Sequence, residues 1–336
     1  MMTATLLAGE RMHWRSLPDL PQALGGQFVG SIGETLVVAG GSYWDKPPWD
    51  KGTKTWSDKI YVLEKNAQRW RLAGTLPQPL AYGASVDTAE AMVLIGGQTP
   101  VGLSTAVLRL RLKNGVAAID RLGDLPNPQA MMGAVSTRTT VYLAGGQPAS
   151  TPAKALKAFL AIPLADLLAG RGSWRELPSW EGPPRFFSQF AACGESLYLA
   201  GGTDLVAAAG KDTVRNFLRD AHRYTPEGGW QKLPEMPRTA QAGLAACHEG
   251  QFYVFGGSDG TLSEELREKH PGFRRDVLAF DPTTNRWNEA GVIPASLVTT
   301  GIAKWNGEYV IAGGEDRPGH RSAKVVAVRI ENGGGQ

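Results

Sequence analysis

Short apolar runs that end on a Gly-Gly pair recur along this chain. Phe252-Tyr253-Val254-Phe255, for example, runs into Gly256-Gly257. Six such pairs occur, at Gly40, Gly96, Gly145, Gly201, Gly256 and Gly313, with gaps of 56, 49, 56, 55 and 57 residues. β-branched and aromatic runs bounded by glycine predict strands. Around Gly256 the small apolar stretch 241–247 predicts an innermost strand, and His248-Glu249-Gly250 a short turn. Residues 277–280 predict a third strand, Asp281-Pro282-Thr283-Thr284-Asn285 a turn cluster, and Trp287 opens an outermost strand. Tryptophans keep step with the glycines: Trp14, Trp70, Trp174, Trp230 and Trp287 each lie 26 or 27 residues before a pair, and Ile119 takes that place in the remaining unit. Six units of four strands predict an all-β, six-bladed propeller.

A period near 50 with these marks is that of the kelch-type propellers. After the last Gly-Gly only one strand is predicted, over 325–330, and no tryptophan-bearing fourth strand follows. The chain opens with the missing piece, residues 13–17. The N-terminal strand is therefore expected to complete the C-terminal blade, closing the ring within one domain spanning 11–331 and removing free sheet edges.

Composition narrows the partners. Lys plus Arg is 35 against Asp plus Glu at 32, a balance that gives no field for nucleic acid or a membrane surface. The 42 glycines and 22 prolines suit a loop-rich β protein. The apolar stretch 155–169 is broken by Lys157, Pro163 and Asp166 and is too short to cross a bilayer. Cys193 and Cys247 each follow Ala-Ala, eight or nine residues before a Gly-Gly pair, and are expected to be buried free thiols. With no apolar leader ahead of Trp14, a cytoplasmic, reduced location is expected. Oligomeric state is left open.

Strand directions alternate within a blade, so the turns after the first strands share one face and the segments after the Gly-Gly pairs share the other. Three of the latter are long: 42–57, 203–218 and 258–274. Long loops gathered on one face of a rigid scaffold are where sites form. They bring aromatic and charged groups such as Trp44 and Lys54. The segments leading into blades add Arg185 and Arg238, expected around the same central depression. Aromatic and cationic walls suit a polar, acidic small molecule such as a sugar acid.

The most specific stretch is Gly313-Gly314-Glu315-Asp316-Arg317-Pro318-Gly319-His320-Arg321. It resembles the Gly-Glu-x-x-Pro-Gly-x-Arg signature of the bacterial N-acetylneuraminate epimerases, the sialic acid mutarotases. Ala81-Tyr82 before Gly83-Ala84-Ser85, Pro184-Arg185 with Gln189, and Gly52-Thr53-Lys54 look similar too. The signature blade is last here, as in the cyclically permuted branch of these propellers. The more familiar members carry a longer insert at 203–218 and are periplasmic. The resemblance implies Glu315 as proton acceptor with Arg321 as its partner in the site. It also implies sialic acid as substrate, and no metal or other cofactor. Arg185, Gln189, Arg238, Lys54, Trp44 and Tyr82 are the candidate substrate-binding residues. Arg321 and Arg185 are both open to holding the substrate carboxylate. Three other readings stand beside this one: a kelch module that binds protein, an enzyme opening a 2,7-anhydro sialic acid, and a copper radical oxidase. The last needs a Tyr and His ligand set with a cross-linking Cys, which the sequence does not show.

Overall fold

The structure, a computed structural model, describes residues 11–149, 154–208 and 211–331. Six antiparallel four-stranded sheets follow one another in the chain. Blade 1 is Phe28–Ile32, Thr35–Ala39, Lys59–Glu64 and Arg71–Thr75; blade 2 is Ala84–Asp87, Met92–Ile95, Ala106–Lys113 and Val116–Asp124. Blade 3 is Gly133–Ser136, Thr140–Ala144, Phe159–Pro163 and Arg175–Glu176; blade 4 is Gln189–Cys193, Ser196–Ala200, Ala221–Thr225 and Gly229–Leu233. Blade 5 is Leu244–His248, Gln251–Gly257, Arg274–Asp281 and Arg286–Val292. Blade 6 takes Ile302–Trp305, Glu308–Arg317 and His320–Glu331 from the chain's end, and its outer strand, Arg11–Leu17, from the beginning. The register of that closure runs from Met12 opposite Ile330 to Leu17 opposite Val325. The Arg15 guanidinium adds hydrogen bonds to the buried Glu308 carboxylate.

The core lies between blades, not within them. The second strands, such as Thr35–Ala39 and Met92–Ile95, are almost wholly buried because a neighbouring blade covers each face. Phe28, Val37 and Ile60 of blade 1 pack on Met92 and Leu108 of blade 2, and five further clusters repeat this around the ring. The tryptophan and Gly-Gly marks both prove to be contacts between blades. Trp70, Trp230 and Trp287 donate their indole N–H to the carbonyls of Pro18, Pro178 and Pro234 on the preceding blade, at 2.7 to 3.1 Å. In five blades the second glycine of the pair donates its N–H to a backbone carbonyl leading into an adjoining blade, as Gly41 does to Leu80 at 2.8 Å. Gly40 has φ 65°, and a Cβ there would overlap the same Leu80 oxygen, so no other residue fits.

Of the long post-Gly-Gly segments, the first folds as a hairpin, Ser42–Trp44 on Lys54–Trp56, and the second as Thr203–Ala208 on Lys211–Phe217. The third carries a short 3-10 segment, Glu264–Lys269. One expectation is overturned. Cys193 and Cys247 are not free thiols but form a disulfide. They sit one register position apart on the adjoining inner strands of blades 4 and 5, Cys193 opposite Ser196 and Cys247 opposite Phe252, with Cα atoms 5.3 Å apart. Propeller geometry brings the inner strands of successive blades side by side, and the one-residue offset turns the two side chains towards each other, which the sequence separation of 54 concealed. No helix of the described residues is long and apolar enough to cross a membrane.

Candidate active site

One residue per blade turns back with positive φ just before the inner strand: Gly26, Tyr82, Met131, Phe187, Ala242 and Thr299, at 52° to 70°. Each donates its N–H to the carbonyl of the preceding member. Gly26 bonds to Thr299, Tyr82 to Gly26, Met131 to Tyr82, Phe187 to Met131, Ala242 to Phe187 and Thr299 to Ala242, all at 2.7 to 3.0 Å. These six bonds close a backbone ring about the propeller axis. Left-handed backbone costs a non-glycine residue about 1–2 kcal/mol, and here a hydrogen bond accompanies each turn. The ring lines a cavity of about 110 Å3. Among the inner strands the channel widens to about 420 Å3.

The residue after each Gly-Gly pair is polar in all six blades: Ser42, Gln98, Gln147, Thr203, Ser258 and Glu315. Each forms an isolated antiparallel bridge to the residue just before a ring member, Gly25, Ala81, Ala130, Phe186, Gln241 and Val298 in turn. One backbone geometry thus presents six equivalent positions beside the ring. Glu315 is the charged one.

Its partner is set by a tight hairpin. Arg317 pairs with His320 across Pro318-Gly319, and Gly319 has φ 69°, the left-handed position that a Pro-Gly turn requires. That turn makes Arg321 the cross-strand neighbour of Glu315. The spacing of six is therefore the geometry of a two-residue loop plus one bulged residue, Asp316. Arg321 donates from Nη1 to Glu315 Oε1 and from Nη2 to the Tyr82 hydroxyl, the latter at 2.8 Å. The Tyr82 hydroxyl lies 2.9 Å from Ser42 Oγ, and Thr299 Oγ1 donates to Glu315 Oε2 at 3.4 Å. Two ring members, Tyr82 and Thr299, thus tie the ion pair to the central cavity. Side-chain exposure is 7% for Arg321 and 19% for Glu315, so the carboxylate keeps an open side while its partner is enclosed. Burial alone would lower the Arg321 pKa, but Glu315 and Tyr82 outweigh it and the pKa is raised; the guanidinium is a fixed charge. Gly25 makes room for it, since a Cβ there would overlap the guanidinium.

The hairpin of blade 1 adds a second wall. Lys54 lies opposite Trp44, and Ser42 opposite Trp56, so alternation puts all four on one face. Lys54 Nζ is 4.4 Å from the ring centroids of both Trp56 and Tyr82, which meet edge to face at 5.9 Å. Trp44 lines an adjoining cleft of about 170 Å3 with Tyr43, Lys46, Pro47 and Arg321. The structure therefore brings together Glu315, Arg321, Tyr82 and Lys54, with Trp44 alongside.

Arg185, Arg238 and Gln189 do not join them. Arg185 is fully buried: it donates to Asp220 at 2.5 Å and to the Gly201 carbonyl at 2.9 Å, and stacks on Trp180. Burial pushes its pKa down, against the pull of Asp220. Arg238 is held by Asp276 at 2.6 Å and by the Gly256 and Asp276 carbonyls. Gln189 is 1% exposed. Oriented to satisfy its amide, it donates to the Ala200 and Ala240 carbonyls and accepts from Gly243 N–H. All three fasten backbone between elements. An arginine in a segment leading into a blade is on the expected face, but an acidic residue on the next blade draws it inward. Ser42, Thr299 and Gly25 were not anticipated. The polar residue recurring after each Gly-Gly pair was the available signal for Ser42. Among the described residues no group of three or more His, Cys, Asp or Glu could hold a metal ion.

A Kelch motif matches residues 241–294. A solved structure described as "Structure of YjhT" matches with a TM-score of 0.70 at 14% identity, covering 94% of this chain and 99% of that one, and shows the shared propeller fold. An N-acetylneuraminate epimerase of Yersinia pestis (strain Pestoides F) is 34% identical over 136 residues, 34% of either chain. This chain is similar to N-acetylneuraminate epimerases. Another, from Haemophilus influenzae (strain PittEE), is 26% identical over 187 residues, 48% of this chain and 49% of its own. The matched segments span about a third to a half of the length of these curated relatives.

Proposed function

We propose that this protein is a sialic acid mutarotase, interconverting the α and β anomers of N-acetylneuraminate. The observation that carries the reading is the Glu315–Arg321 pair beside the central ring, in a chain similar to proteins named for that epimerisation. Anomer exchange opens the sugar ring at C2 and closes it on the other face. A base takes the proton of the C2 hydroxyl, the C2–O6 bond breaks as the C2 carbonyl forms, and O6 receives a proton. After rotation about C2–C3 the O6 hydroxyl adds to the opposite face of the carbonyl, and the proton transfers reverse. Glu315 has the open side for the first transfer, while Arg321 and Thr299 fix its two oxygens. A planar guanidinium that also grips Tyr82 cannot drift during the cycle.

The test is one-dimensional NMR of freshly released α-N-acetylneuraminate, with and without protein. Glu315→Gln keeps the shape and removes the base; it should melt like the parent and lose on the order of a hundredfold or more in acceleration. Full activity in that variant removes Glu315 as base. No acceleration by the unmutated protein overturns the reading.

A further inference from the structure

An acidic sugar brings its own negative charge, and the cations on this face are not equally free to meet it. Arg185 and Arg238 are taken by Asp220 and Asp276. Arg321 faces Glu315, and its other terminal nitrogen is taken by Tyr82. Lys54 differs. Its ammonium lies over the Trp56 and Tyr82 rings, and among the described residues no carboxylate or hydrogen-bond acceptor of the protein engages it. The hairpin register fixes its backbone opposite Trp44, and the two ring faces fix its tip. Cation–π contact holds an ammonium in place while leaving its N–H donors outward. The charges of the cluster add in the same direction: Glu315 and Arg321 cancel, and Lys54 leaves one positive charge for one carboxylate.

We propose that Lys54 holds the carboxylate of the sugar acid, with Tyr82 as the shared floor that joins it to the Glu315–Arg321 pair. The assignment rests on the sugar-acid reading of the site, and it gives the anion to a lysine instead of to Arg321 or Arg185. Substrate carboxylate on Lys54 would leave Arg321 to orient the base, so one cation binds and the other positions.

The experiment compares acid and neutral forms of the same sugar. Affinities of N-acetylneuraminate and its methyl ester, and of glucuronate and glucose, are measured by NMR titration for the parent, Lys54→Met and Lys54→Arg. Methionine keeps the length and the stacking on the rings without the charge. The parent should favour an acid over its neutral form by about 10- to 100-fold, the range of a charge-assisted hydrogen bond. Lys54→Met should lose that preference with the neutral ligand unaffected, and Lys54→Arg should recover part of it. Thermal melting of each variant excludes a folding defect. If the parent binds N-acetylneuraminate and Lys54→Met keeps the same acid-to-ester ratio, the lysine assignment falls and the mutarotase reading stands. If the parent ignores N-acetylneuraminate but binds glucuronate through Lys54, the sialic acid reading falls and the lysine assignment stands. A parent that prefers no acid over its neutral form overturns the lysine assignment outright.

Discussion

Reducing the Cys193–Cys247 bond should destabilise the propeller by an amount that its position sets. The bond joins inner strands of adjacent blades and closes a loop with a sequence separation of 54. In the chain-entropy account such a loop removes about 14 cal/mol/K from the unfolded ensemble, or about 4 kcal/mol at 25 °C. Unfolding entropy near 2 cal/mol/K per residue gives a chain of this length roughly 0.7 kcal/mol per degree, so Tm should fall by about 6 °C. Blade 4 and blade 5 keep their shared core of Tyr198, Phe252, Val254 and Phe280 in either redox state, so the reduced protein should still fold. The assay is calorimetry with and without a phosphine reductant, together with a count of thiols that react in the native, unreduced protein. Two reactive thiols before reduction, or an unmoved Tm after it, would refute the reasoning. The same chemistry bears on compartment. Alkylation in intact cells should label both cysteines if the protein lives reduced in the cytoplasm, and neither if it lives in an oxidising compartment.

Two further outcomes follow from close contacts and buried charges. Gly25→Ala puts a methyl group where the Arg321 guanidinium lies; the flexible arginine tip can yield, so Tm should move little while anomer exchange falls at least tenfold, checked by the same NMR assay. Tm against pH should show two limbs of opposite slope. Burial pushes Asp87 up to about 7 from an ordinary 3.8, despite the Ser31 N–H it accepts, so the folded state holds its proton more tightly and stability falls as pH rises between those values; Asp87→Asn should flatten that limb. Asp220 behaves in the opposite sense: burial alone would raise it, but hydrogen bonds from His222 and Arg185 hold it down at about 2, so its contribution is complete above 3.8 and is lost as pH falls towards 2.

The fold was legible because its marks repeat. Gly-Gly and tryptophan recur since each marks a contact between blades, and six Gly-Gly pairs in step with five tryptophans cannot be mistaken for chance. The closure by residues 13–17 was legible for a related reason: a strand missing at one end of the chain stood at the other. The geometry of the candidate site was legible only where a local turn fixed it. Pro318-Gly319 brings Glu315 and Arg321 together within one hairpin, so sequence spacing is spatial spacing there. Arg185, Arg238 and Gln189 depend on long-range partners instead. Asp220 lies 35 residues beyond Arg185, and Asp276 lies 38 beyond Arg238. Nothing near the arginines in the chain announces that these carboxylates will claim them. The disulfide failed for the same reason, since the two cysteines are neighbours only after the blades are set side by side.

The repeated positions also show why the charged cluster sits on one side of the axis. A ring of six equivalent blades offers the same geometry six times, and a substrate needs it to be broken once. Beside Glu315, the equivalents Ser42, Gln98, Gln147, Thr203 and Ser258 are uncharged hydrogen-bonding groups. At the ring itself Tyr82 brings an aromatic hydroxyl where its equivalents are Gly26, Met131, Phe187, Ala242 and Thr299. Glu315 belongs to blade 6 and Tyr82 leads into blade 2, so the gap between them is the width of blade 1. Arg321 crosses that gap, and Gly25 with Gly26 leaves the space: a Cβ on the first would overlap the Arg321 tip, and one on the second would meet the Tyr82 ring. The two glycines at the mouth of blade 1 are therefore as much a part of the candidate site as the charges, because without them the Glu315 carboxylate and the tyrosine could not share one guanidinium.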